Sequence, residues 1–412
     1  MHYIRLKKSL LLITLIFLYP ACTPIVKKPV REAGPSVRIL IATISSIDSL
    51  TFTGSYVLSS EEARYEFGER NKNLYIQPIQ DGLRLYNDNR NLLYRKYFPI
   101  ILEPMAPESR VIYHDSEYTG AFYFQAASEQ SVHLINKIQV EEYLKGVVPA
   151  EIPTNNYENF EAMKAQAICA RTYVMDRLEK NKKLTYDVKS TVADQVFAGY
   201  SRQSRYGNQA VDDTKGVILI FNGQPATVFY HSTCGGQLEA AENIWPEINP
   251  PYLQGGPDAV SDFYSCSTSP YFRWLETRTI DELDSQFYKN YNHGFLHQTV
   301  SDTMQLNFNL QIMKRDSKAR VTEIKINYAD TSVTLNGYEI RRFFSDKDGK
   351  YLPSNLFYMT QSNDSTLVLH GGGYGHGVGM CQFGALNMAK RGFQHYHILS
   401  KYFPGTKLIR KY

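Results

Sequence analysis

The sequence predicts an α+β protein, with mixed β-rich lobes and a few helices. Three observations predict it. Alternating runs rich in β-branched and aromatic residues fill positions 37–138, among them SVRILIATIS, LTFTGSYVL and AFYFQAA. One long stretch, Tyr157 to Lys180, instead carries apolar residues at helical spacing. Strand patterns return over 262–345, and the chain closes on a Gly-rich loop and two short helices.

Composition narrows the function classes. The chain has 412 residues, 43% hydrophobic and 21% charged, which fits a folded protein with real cores rather than a disordered one. A net charge of +4 over this length provides neither a nucleic-acid footprint nor a basic membrane surface. The 31 tyrosines suit sheet packing, and in smaller part carbohydrate stacking.

The N-terminus reads as an export signal. Arg5, Lys7 and Lys8 precede a short apolar run, Ser9 to Leu18, which is too short to span a bilayer. Ala21-Cys22 then resembles a lipobox, with Tyr19 where that pattern prefers Leu. The expectation is a leader over 1–22, lipidation at Cys22, a Pro-rich tether over 23–36, and a lipid-anchored body in the cell envelope, periplasmic or otherwise extracytoplasmic.

The elements follow in order. Residues 37–138 form the β-rich N-terminal part. Val140, Leu144 and Val147 mark a short helix, and Asn155 with Glu158 resembles a capping box. Phe160, Met163, Ala167, Ala170, Val174 and Leu178 then lie on one stripe of an amphipathic helix, with Lys164 and Arg171 on a second stripe. Asn222-Gly223 signals a hairpin turn. Residues 262–345 form a β-rich insertion lobe within a region that runs from 139 to 408. A helix from about Gln382 to Arg391 stops at Gly392, and a last helix ends before Pro404.

Three stretches offer chemistry. In GVVPAEIP, Gly146 to Pro153, the single carboxylate Glu151 sits among aliphatic residues, bracketed by Pro149 and Pro153. Desolvation penalises a charged carboxylate, so such a group can keep its proton and pass it to a leaving oxygen. Exposed at a turn, the same residue would do nothing. Six of the nine residues from Gly371 to Gly379 are glycine, around His376. That loop is either a close-approach ligand loop or a connector, and no P-loop lysine follows it. In YHSTCGG, Tyr230 to Gly236, Cys234 has three readings: a disulfide with Cys266, a metal site with His231 and Cys266, or a nucleophile beside His231. No Cys-x-x-Cys and no His-Glu-x-x-His is present. Cys169 and Cys381 read as small buried residues.

Taken in order, VEEYLKGVVPAEIP, FEAMKAQAICARTYV, DQVFAGY, YHSTCGG, SPYFRW, LPSNLFYM and GYGHGVGMCQFGALNMAKRG resemble the SpoIID/LytB family of sporulation proteins and amidase enhancers. The resemblance runs from about Val37 to Leu408. The chain departs from it by carrying Cys381 where the family usually has Ser, and by a longer β-rich N-terminal part.

The resemblance implies a SpoIID-like fold around a central catalytic cleft and a peptidoglycan lytic transglycosylase acting on glycan strands stripped of stem peptides. Glu151, in Ala150-Glu151-Ile152-Pro153, would be the catalytic acid. Lys164, Gln166, Arg171, Gln195, His231, Ser232, Thr233, His376 and Gln382 would line the cleft, with Lys164 and Arg171 holding lactyl carboxylates. No cofactor and no metal is expected for this chemistry. An ordinary glycosidase needs two carboxylates. No second one stands in a matching motif, although Asp194 and Asp258 remain open. A transglycosylase needs only one, because the muramic acid's own C6 hydroxyl attacks its anomeric carbon. The competing expectations are a glycan-binding enhancer of a cell-wall amidase and a metal-dependent hydrolase built on His231, Cys234 and Cys266.

Overall fold

The computed structural model describes residues 34–59, 64–69, 71–80, 82–96, 100–260, 262–291, 308–328, 331–363 and 366–412. The leader, Cys22 and most of the tether lie outside the described residues.

Alternation in the N-terminal part builds two sheets over one core. The first has seven strands, in the order Val188–Lys189, Ser36–Ile44, Ser131–Gln139, Ala121–Ser128, Ile100–Pro104, Tyr56–Ser59 and Arg64–Phe67. The second has six, from Ser116–Tyr118 through Asp48–Thr53 to Leu92–Lys96. Ser36–Ile44 runs antiparallel to Ser131–Gln139, with Val37 opposite Ile138. Val37, Ile39, Leu50, Leu74 and Phe122, drawn from both sheets, are fully buried in the same core. A period of two on each strand turns one set of side chains inward and leaves the other outside.

Helix α1, Val140–Glu151, leaves the edge of Ser131–Gln139 without a loop. It runs further than the short apolar pattern indicates, with Pro149 inside its last turn. Proline lacks an N–H and removes one helical bond. The turn still closes, because Ile152 N–H donates to Val148 O at 3.0 Å. Gly146 is required mid-helix: a Cβ there would stand 2.6 Å from Phe197 Cε2 and 2.8 Å from Gly199 O. Gly146→Ala is therefore expected to cost about 1–3 kcal/mol through overpacking, although alanine is the better helix former by about 1 kcal/mol. A urea melt with an unchanged or raised midpoint would refute this.

Helix α2, Phe160–Lys180, is the axis of the fold. Its cap differs from the expected box. Asn156, not Asn155, accepts from Glu158 N–H, and a short 3-10 turn, Tyr157–Asn159, precedes the helix. The one-sided stripe also needs correcting, since all eight residues from Ala165 to Thr172 are buried. A helix buried all round belongs to the interior, whatever polar residues it carries.

Helix α3, Arg205–Asp213, packs on α1 and α2. Asn222 and Gly223 turn the hairpin between Val217–Phe221 and Gln224–Pro225 with φ of 49° and 79°. Val217–Phe221 also pairs with the C-terminal strand Lys407–Arg410. A separate core, with Leu283, Ile324, Phe343 and Leu369 fully buried, fills the part of the chain that starts at strand Trp274–Thr279 and returns on Thr366–Gly371. The return strand feeds the Gly-rich loop, which comes alongside YHSTCGG. Tyr230 and His231 pair in parallel with Met380 and Cys381, and Thr233 bridges Tyr374.

Candidate functional site

A cleft of about 690 Å³ opens where these stretches meet. The end of α2 forms one wall. Residues 192–194, Val196, the segment from Ala226 to Ser232, Trp245, Glu247, Ile248, Tyr374–His376 and Gln382 form the rest, with Glu151 reaching in. A second hollow of about 650 Å³ lies by Trp274, Tyr358 and His370, and among the described residues no carboxylate lines it.

Glu151 is the last residue of α1, and its side chain reaches the cleft. Val196 N–H donates to its Oε1 at 3.1 Å. Burial pushes its carboxyl above the usual range, against the opposing pull of Val196 N–H and the Gln382 and Tyr230 side chains. The negative end of α1 acts in the same direction as burial. The arrangement suits an acid that holds its proton at rest, while three donors wait to steady the carboxylate once the proton has left.

The support beneath Glu151 is a buried relay. Tyr143 Oη donates to Gln195 Oε1 at 3.1 Å, and Gln195 Nε2 donates to Tyr230 Oη at 3.1 Å. Gln195 is thus a positioning residue below the cleft rather than a lining residue. Gln166 is also fully buried; its Oε1 faces Gln382 Nε2 at 3.5 Å, behind the side chain that reaches Glu151. Thr233 faces inward too, with its hydroxyl 2.7 Å from Ser269 Oγ.

Of the residues expected to bind substrate, Ser232, His231, His376 and Gln382 do line the cleft. Burial keeps both histidines neutral. Val378 N–H donates to His376 Nδ1 at 3.1 Å, which places the ring proton on Nε2, 3.1 Å from Tyr230 O. Burial, with Arg320 second, pushes His376 down to about 4, so the ring is neutral and both nitrogens are occupied. It stands against Trp245, which stacks on Phe229 with centroids 4.3 Å apart. His231 Nδ1–H donates to Val378 O at 3.1 Å; burial drives its pKa well down, and Nε2 has no partner among the described residues.

Lys164 and Arg171 are corrections. Lys164 lies outside the cleft lining, 3.0 Å from Glu161 and 3.6 Å from Asp213. Arg171 is fully buried and makes a two-pronged pair with Glu141, at 2.9 and 2.7 Å. The cations that do line the cleft are Arg177 and Lys180. Tyr173, Asp176, Arg177 and Lys180 lie at i, i+3, i+4 and i+7, one helical face, a signal present in the sequence beside the stripe of Lys164 and Arg171.

The remaining carboxylates separate clearly. Asp194 accepts from Tyr173 Oη and from Lys189 N–H, holding the loop that carries Val196. Asp258 is fully buried away from the cleft lining. It lies with Cys234, Cys266 and Cys381 in one cluster. The expected disulfide is not formed: Cys234 and Cys266 are free, their sulfurs 3.3 Å apart. His231 is not part of this cluster, since its ring is turned to Val378.

The stage II sporulation protein (SpoIID) family matches residues 128–221, which include Glu151 and all of α2. A domain of unknown function (DUF8618) matches residues 260–379. An uncharacterized protein of Brachyspira hyodysenteriae is 30% identical over 294 residues, 71% of this chain and 72% of that one. The amidase enhancer of Bacillus subtilis is 28% identical over 64% of this chain, which spans only 40% of the enhancer's length. Stage II sporulation protein D of Bacillus amyloliquefaciens is 26% identical over 68% of this chain and 76% of its own length. The match thus covers the carboxyl at the end of α1, the helix behind it and relatives bearing both family names: the chain belongs to the SpoIID/LytB family.

Proposed function

We propose that the protein acts outside the cytoplasm on cell-wall peptidoglycan, as a lytic transglycosylase. It cleaves the MurNAc–GlcNAc β-1,4 bonds of strands without stem peptides and leaves 1,6-anhydro-MurNAc ends. The observation that carries the reading is Glu151, a carboxyl in a cleft whose burial favours the protonated form. Among the described residues lining the cleft, Asp176 is paired with Lys180 at 2.7 Å, Asp194 is held by Tyr173 and Lys189, and Glu247 is exposed at the rim.

In this reading Glu151 gives its proton to the departing GlcNAc O4 as the bond to the muramic anomeric carbon breaks. The C6 hydroxyl of the same muramic residue bonds to that carbon, and its proton passes to the Glu151 carboxylate, so no water is consumed. Val196 N–H, Gln382 and Tyr230 steady the charge between the two transfers. Arg177 and Lys180 face the lactyl carboxylates of a denuded strand, and the Trp245 wall faces a sugar ring.

Digestion of denuded glycan with the purified protein, followed by mass spectrometry, tests this. Anhydro ends are the expected product. Reducing MurNAc ends would mean hydrolysis and a second carboxylate, with Glu247 the first to examine. The kinship to an amidase enhancer favours one other reading, a glycan-binding module without chemistry. Glycan bound but uncut would select it.

A pH profile gives a further expectation. Because burial raises the Glu151 pKa, the acid form persists above the ordinary glutamate range. Cleavage should stay high below that raised value and fall as pH climbs through it. A decline completed within the ordinary glutamate range, about pH 4–5, would contradict the assignment.

A further inference from the structure

We propose that Cys234, Asp258, Cys266 and Cys381 form a closed structural site for a divalent, thiolate-seeking transition metal, Zn²⁺ by its chemistry. The four side chains come from separate segments. Cys234 follows strand Tyr230–His231. Asp258 and Cys266 flank the small hairpin of Ala259–Val260 and Phe263–Tyr264. Cys381 caps the helix Gln382–Lys390. All four are fully buried. One ligand atom from each lies within 4.8 Å of all the others. Cys234 Sγ stands 3.3 Å from Cys266 Sγ and 3.1 Å from Asp258 Oδ2. Tetrahedral zinc with Zn–S near 2.3 Å places its sulfurs roughly 3.8 Å apart, so the set needs only small adjustment. A disulfide needs about 2.05 Å and would leave the third thiol beside it.

Backbone N–H groups face two of the sulfurs. Cys234 N–H donates to Cys381 Sγ at 3.3 Å. Gly235 and Gly236, at φ of 75° and 91°, turn their N–H groups onto the Cys266 sulfur. Tyr402 Oη donates to Asp258 Oδ1 at 3.1 Å, with Lys401 Nζ at 3.4 Å, which leaves Oδ2 as the inward ligand atom. This is the outer support that fixes a monodentate carboxylate on a metal. Gly384 makes room for it, since a Cβ there would stand 2.0 Å from Tyr402 Oη and 3.2 Å from Asp258 Oδ2. Three thiolates and a carboxylate carry four negative charges. A divalent ion removes two, and Lys401 stands beside the remainder; the buried Arg320 donates to Cys234 O at 3.1 Å but pairs with Glu239 at 3.2 Å. Sulfur-rich four-ligand sets select zinc over hard cations.

The site departs from the sequence expectation of no metal, and from the expected ligand His231. With all four positions taken by protein it is a staple, not a reaction centre. It joins the YHSTCGG turn to the residue before Gln382, and so holds two sides of the cleft in register. The metal site and the proposed reaction at Glu151 are independent of each other.

The full chain, expressed with supplied zinc and purified without a histidine tag, should contain about one zinc per chain. X-ray absorption should show three sulfur neighbours and one oxygen. Cobalt exchange should produce thiolate-to-metal charge-transfer bands, and a strong chelator should lower the melting temperature. Cys381→Ser and Asp258→Asn should lose metal, while Cys169→Ser, on α2, should keep it. Folded wild-type protein that stays metal-free in excess zinc would overturn the site. It would do so whether its thiols were all free or its mass, lower by two hydrogens, revealed a Cys234–Cys266 bond. A coordination shell without sulfur would overturn it equally, and neither wild-type measurement depends on a variant folding.

Discussion

Glu151→Gln is expected to cut release of anhydro-muramyl products by about 10²–10⁴-fold, the range for loss of a positioned proton donor, while binding of denuded glycan stays within a few fold. The amide keeps the size of the side chain and an oxygen for Val196 N–H, so the cleft retains its shape. What disappears is the transferable proton. Stability should move the other way. The folded protein holds the Glu151 proton more tightly than the unfolded chain does. Its contribution to folding is therefore complete below the unfolded value, about pH 4.3, and is lost as pH rises through the folded one. At neutral pH the variant should melt above wild type, and the gap should close as pH falls below the ordinary glutamate range. Paired melts at pH 7 and near pH 4 read this directly. Undiminished cleavage would remove Glu151 from the mechanism, and a variant less stable at pH 7 would mean the carboxylate is paid back by partners better than those seen.

How much of this site the sequence discloses depends on whether the relevant neighbours are local. Glu151 is legible because its aliphatic company and the helix that carries it lie within a dozen residues. The strands of 37–138 are legible for the same reason, but their order is not, since pairings such as Val37 with Ile138 join positions a hundred residues apart. Spacing along α2 correctly groups side chains by face, yet cannot say which faces are covered. Packed neighbours, among them α1, α3, the helix Gln382–Lys390 and the strand Val217–Phe221, enclose its middle, so Gln166 and Arg171 are interior while Arg177 and Lys180 near its end reach the cleft. The sulfur cluster is hidden for a third reason. Cys234 and Cys381 are brought together by one short parallel pairing across 147 positions, which no local motif announces.

Arg171→Ala is expected to destabilise the protein by about 3–5 kcal/mol, the cost of breaking a buried ion pair from one side. The side chain of Arg171 is 0% exposed and that of Glu141 only 11%. Arg171 also donates to Val217 O at 3.1 Å and to Val211 O at 3.2 Å, so it ties α1, α2, α3 and the strand beside them. Burial alone would raise the Glu141 carboxyl. Hydrogen bonds and charge from Arg171, with Tyr412 Oη at 2.7 Å and Gly216 N–H at 3.2 Å, instead hold it below the usual range. Without the guanidinium, that carboxylate is left buried with only those two donors. The double variant Arg171→Met with Glu141→Gln removes both charges and should recover much of the loss, because a buried pair is worth little against well-packed neutral groups. Denaturant melts of Arg171→Met, Glu141→Gln and the double variant measure the coupling. A residue that gripped substrate would behave differently: the single variant would fold as wild type and lose glycan affinity. The opposite pattern, a large fall in stability with unaltered glycan affinity in the fraction that folds, assigns Arg171 to the interior and leaves recognition of anionic glycan to Arg177 and Lys180.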